Sequence, residues 1–153
     1  MILEKFFQLA HEILASDRVK QDQIQGLSEH KIQAFQQHKR FEFPKAYSEF
    51  LSFCGESGAE ELTGLDFKFG WDDVTRQEIA FQSQDEGSIV PVVYKQCVFF
   101  SGDGHGGFYY FVSGFGGPDP EVFRWDDYSE VRPWSRTFSD FVFSETLNYD
   151  LIK

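Results

Sequence analysis

Positive charge is scarce in this 153-residue chain: 14 Lys and Arg stand against 25 Asp and Glu, a net charge of −11. That sign argues against holding nucleic acid through its phosphates and against adhering to an anionic membrane. Cysteine is scarcer still. Cys54 and Cys97 are far apart and form neither a CxxC pair nor a Cys/His ligand set, which reads as free thiols in a reducing compartment. Long apolar runs are missing too, since nothing approaches the roughly 18 residues of a membrane span. Gln8, His11 and Glu12 interrupt the first segment, and no basic stretch precedes it as in a secretory leader. The expectation is a soluble cytoplasmic protein.

Catalytic signatures are also lacking. There is no GxSxG, no HExxH, no Cys/His pair and no EF-hand loop. Paired acids occur at Glu60–Glu61, Asp72–Asp73, Asp85–Glu86 and Asp126–Asp127. Adjacent carboxylates come cheaply in an acidic chain, so they say little about glycoside chemistry. In loops and at element ends they suit an acidic recognition surface better.

Aromatic residues, by contrast, are abundant. The 19 Phe, 6 Tyr and 3 Trp make up 18% of the chain, which favours strands and a dense core. The length suits a single domain, residues 1–153. Charge is unevenly divided: residues 1–45 carry a net +1 and residues 46–153 a net −12. Such asymmetry suggests an acidic surface that meets a basic partner, though acidity also keeps an aromatic-rich chain in solution.

Ile2, Leu3, Phe6, Phe7, Ala10, Ile13 and Leu14 repeat at the three-four spacing of an amphipathic helix. Ser28 is a cap for a second helix carrying Leu27, Ile32 and Phe35. Pro44 fits the first turn of a third, with Tyr47, Phe50, Leu51 and Cys54 inward and Gly55 or Gly58 at its end. Beyond Leu62 the texture becomes strand-like. Residues 65–69 alternate, residues 74–81 suggest a short helix, and residues 89–93 suggest an edge strand carrying Pro91. Residues 98–100 and 108–112 flank a glycine-rich turn as a hairpin, and residues 122–125 form a further strand. Thr137 opens a last helix with Phe138, Phe141, Val142 and Leu147 facing in. The fold class expected is α+β: N-terminal helices on an antiparallel-dominated sheet of about five or six strands, then a C-terminal helix.

Residues 102–107, GDGHGG, spell a literal GxGxxG. A dinucleotide site needs a helix after the glycines, whereas FYYFV follows here, so the context is wrong. Asp103 and His105 are too few to hold a metal, and a turn-stabilising role suits them better than acid–base work. No cofactor and no metal are expected.

The order of these features resembles the SUKH superfamily of Smi/Knr-type proteins. The counterparts are Phe35–Gln36, Phe43–Pro44, Tyr47, Phe50–Leu51 and Gly55 or Gly58. They continue through Gly102–Asp103–Gly104, the aromatic strand from Phe108 to Phe111, Val122 with Trp125 and Asp126, and Thr137–Phe138 with Phe141. Coverage runs over residues 26–147. Gln36 stands where the family often has Glu, and Phe43 where it often has Leu. The resemblance implies binding without enzymatic activity. Bacterial members are similar to immunity proteins that neutralise secreted polymorphic toxins, many of them nucleases; fungal relatives act as regulatory scaffolds. A basic cognate toxin domain is the expected partner, steered by the acidic region. Recruitment of endogenous partners is the alternative.

The binding surface is expected where acids and aromatics meet: Asp66, Trp71, Asp72 and Asp73 on one connection, Trp125, Asp126, Asp127 and Tyr128 on another, with Asp103 and His105 in the turn. Trp71 and Trp125 also fit a core role. Phe50, Leu51, Val98, Phe100, Tyr110, Phe138 and Phe141 are expected to be buried, drawing the helices onto one sheet face.

Overall fold

The spacing that opens the chain becomes a helix, α1 (Glu4–Ala15), burying Phe6, Ala10 and Ile13. The computed structural model describes residues 1–39, 42–67, 97–104, 106–126 and 131–152. Within it follow α2 (Glu29–Lys39), α3 (Lys45–Cys54) and a short α4 (Ala59–Thr63). Next come β1 (Asp66–Phe67), β2 (Cys97–Gly102), β3 (Gly107–Val112), β4 (Val122–Asp126) and β5 (Arg132–Ser135). Each strand pairs antiparallel with the next, in the order β1-β2-β3-β4-β5. The last helix is α5 (Phe138–Ile152). This is the α+β architecture expected. The helix predicted over 74–81 and the strand over 89–93 lie outside the described residues.

Some helix ends are set by their own sequence. The Lys31 N–H donates to Ser28 Oγ at 3.2 Å, the N-cap predicted for α2. The Asp140 N–H donates to Thr137 Oγ1 at 3.1 Å, the predicted start of α5. Other ends are capped from far along the chain. The Ile2 and Leu3 amides, at 3.0 and 3.1 Å, donate to Glu49 Oε1 on α3, placing a carboxylate at the positive end of α1. Pro44 precedes α3 rather than sitting in its first turn, and the Ala46 N–H finds the Pro118 carbonyl at 2.9 Å. Ser139 donates from its N–H and its hydroxyl to Asp119, at 2.9 and 2.5 Å. One connection, between β3 and β4, therefore clamps the starts of both α3 and α5. Gly55 ends α3 in right-handed conformation. Helix α4 was not expected, because five residues are too few to show a helical period.

The sheet buries aromatic residues on both faces. Val98, Phe100, Tyr109, Phe111 and Val122 join Phe6, Tyr47, Phe50, Phe138 and Phe141 in the core under the helices. Phe100 is its hub, with ring centroids 5.7 Å from Phe111, 5.2 Å from Phe138 and 5.5 Å from Phe141. Cys97, Phe99, Phe108, Tyr110 and Trp125 form a second buried cluster. All seven residues expected in the core are buried. Tyr110, however, belongs to the second cluster, because strand alternation turns it away from Tyr109. Leu147, expected to face in, is 36% exposed, while Thr146 beside it is buried and returns its hydroxyl to the Val142 carbonyl at 2.7 Å.

Candidate binding site

The glycine-rich connection between β2 and β3 closes as a tight hairpin. The Asp103 N–H donates to the Gly107 carbonyl, and the Gly107 N–H donates to Asp103 Oδ1, both at 3.1 Å. The second carboxylate oxygen, Oδ2, accepts from Arg124 Nη2 at 2.7 Å, with both side chains largely buried. A Cβ at Gly107 would come within 2.3 Å of Arg124 Nη2 and 2.5 Å of Asp103 Oδ2. Glycine leaves room there for the guanidinium to reach the aspartate. Asp103 is thus committed inside the protein as a turn residue.

Arg124 is the centre of a larger group. It stands opposite Tyr109 in the β3–β4 ladder. Its guanidinium carbon lies 5.6 Å from the centroid of Trp134 on β5, close enough for a cation–π contact. Trp134 also meets Tyr109, at 5.6 Å, and is 44% exposed. Burial pushes the Tyr109 phenol up to about 12, with Glu145 and Asp103 adding to the shift and Arg124 opposing it. Burial likewise holds the Glu145 carboxyl of α5 above its ordinary value, opposed by the Trp134 indole and reinforced by Asp103. Arg124 thus pairs with Asp103 and meets Trp134, while Glu145 bonds to the Trp134 indole and feels the Asp103 charge.

The expected site residues divide accordingly. Asp66 pairs with Gly102 in the β1–β2 ladder, and Asp126 with Gly107 in the β3–β4 ladder. The backbone register thus brings both to the hairpin end of the sheet, one on each side of the turn. Trp125 goes elsewhere. It is fully buried beside Phe108, at 6.2 Å, so the indole expected at the surface belongs to the second core cluster. Among the described residues, the exposed indole is Trp134, which no motif in the sequence marks. Residues 132–135, RPWS, show no clean alternation, and Pro133 obscures the strand. Trp71, Asp72, Asp73, His105, Asp127 and Tyr128 lie outside the described residues.

Among the described residues, no three His, Cys, Asp or Glu side chains are grouped to hold a metal ion. No described helix is long and apolar enough to cross a membrane. Cys54 and Cys97 are both buried and not joined in a disulfide, and burial raises the Cys54 thiol well above its usual range. No curated protein matches the chain. Residues 26–144, from just before α2 into α5, match the SMI1 / KNR4 family (SUKH-1). Helix α1 precedes the matched span yet shares its core. On this match over most of its length, the chain belongs to the SMI1 / KNR4 family (SUKH-1).

Proposed function

We propose that this chain works by binding, as one domain over residues 1–153, in the manner of a bacterial immunity protein. In this reading it is a cytoplasmic protein that takes up a cognate toxin domain with a basic surface, such as a nuclease, and holds it inactive without catalysing a reaction. The observation that carries the reading is the backbone register that sets Asp66 and Asp126 at one end of the sheet, on either side of the hairpin, within residues 46–153 of net charge −12. Acidic residues placed at one sheet end steer a basic partner and speed its association. Trp134, held against Arg124 and Tyr109, supplies the kind of aromatic anchor on which interface energy concentrates. The bond of Asp103 to Arg124 weighs against acid–base work at the turn.

The test is association with a toxin encoded beside this gene, followed by stopped flow at several salt concentrations. Two double variants are needed, Asp72→Lys with Asp73→Lys, and Asp126→Lys with Asp127→Lys. Both should slow association and flatten its salt dependence without unfolding the protein. Unchanged rates at low salt would leave the acidity as a solubility device. A gene with no toxin beside it, and a product that copurifies with a housekeeping complex, would favour the scaffold role.

A further inference from the structure

At the end of the sheet opposite the hairpin, residues 113–121 join β3 to β4 with the sequence SGFGGPDPE. One side of this loop is held firmly, through the Pro118 carbonyl on α3 and the Asp119 carboxylate on α5. The other side presents Phe115, 63% exposed. Gly116, at φ +84°, turns the chain back so tightly that a Cβ there would lie 2.9 Å from Pro120. Phe115 therefore stands on a braced loop, with little ordering left to be done on binding. Beside it opens a recess of about 370 Å³ lined by Val112, Phe115, Gly116, Glu121 and Phe123. That is toward the small end of ligand-sized sites, which run from roughly 300 to 1,000 Å³.

We propose that this recess is a second contact surface, which receives a partner segment carrying a large apolar side chain next to a lysine or arginine. The apolar walls select the first feature. Among the described residues lining the recess, Glu121 carries the charge, and it selects the second. A second copy of this chain fits poorly, because two molecules of charge −11 repel one another. The proposal rests on the reading that the chain acts by binding, and adds a contact remote from the acidic hairpin end.

The test needs no toxin. Phenethylguanidine, a ring bearing a cation, is titrated into the full-length ¹⁵N-labelled protein, and 3-phenylpropionate, a ring bearing an anion, serves as its control. Saturable amide shifts at Val112, Phe115, Gly116 and Phe123 are expected with the guanidine. Glu121→Gln should weaken that binding about two- to fivefold, the scale of one exposed ion pair. Phe115→Ala should abolish it while leaving the thermal midpoint in place, and Asp126→Lys should not alter it. Absence of saturable shifts at these residues, or equal binding of the anionic probe, would overturn the proposal. So would Phe115-dependent self-association in sedimentation, which would assign the recess to a second copy. Failure of the acidic-end variants against a toxin would leave this result standing, so the two proposals fail separately.

Discussion

The two ends of the β3–β4 ladder solve the same problem, turning the chain, with different chemistry. At the hairpin end Asp103 and Arg124 face one another in a largely buried ion pair, under the partly exposed Trp134. At the other end a longer loop spends its polar groups on the starts of two helices and leaves Phe115 outside. One end is an electrostatic knot whose members depend on each other. The other is a brace, whose hydrogen bonds stabilise helices elsewhere and whose exposed ring carries little of the fold. Sites of interaction can therefore rest on either kind of support, but the two should fail differently when cut.

The largest effect should come from the core that both ends share. Phe100→Ala should cost on the order of 3–5 kcal/mol in chemical denaturation. A loss well under that would mean the stack of Phe67, Phe111, Phe138 and Phe141 around it closes the gap. Next comes Arg124→Ala, expected to cost about 3 kcal/mol because it strands the Asp103 carboxylate without its partner. Adding Asp103→Asn should recover part of that loss. If it does not, the knot is held by packing of the arginine stem rather than by charge.

At the braced end, Asp119→Ala should cost about 1 kcal/mol, the ordinary scale of a lost helix cap. Hydrogen exchange should quicken first at the start of α5. Equal loss of protection across the whole sheet would blur the contrast between the ends. The smallest effect is a pH slope at the knot. Because the folded-state pKa of Glu145 is raised above its ordinary 4.5, the folded protein binds that proton more tightly than the unfolded chain. This group's contribution is complete below the unfolded pKa and is lost as pH rises through the raised one. Glu145→Gln should therefore be relatively more stable than the parent toward neutral pH, with the difference shrinking on acidification. A difference independent of pH would show that the carboxyl is not desolvated.

Much of this architecture can be read from local pattern. The spacing of Tyr47, Phe50, Leu51 and Cys54 marks α3, Ser28 marks the start of α2, and the run from Phe108 to Phe111 marks β3. Asp66, Asp103 and Asp126, which the register sets at the hairpin end, are all among the residues the sequence singles out. The turn role of Asp103 is legible as well, but its ion pair is not, because Arg124 lies 21 residues away in an unremarkable strand. Trp125 and Trp134 show the same limit. Both are tryptophans on short strands, and composition alone does not tell which faces water.

What the sequence determines by itself is whatever depends on neighbours within a turn or two: helical and strand periodicity, local caps, the glycine hairpin, and the sign of the charge. Those follow from backbone sterics and short-range hydrogen bonding, which act between residues close in the chain. Tertiary structure decided the rest. It chose which face of β3 meets the helices, lent Glu49, Pro118 and Asp119 to helix ends they do not adjoin in sequence, and enclosed Trp125 while leaving Trp134 exposed. Burial and long-range pairing are properties of the assembled layers, and each residue's share of them is set only when those layers close.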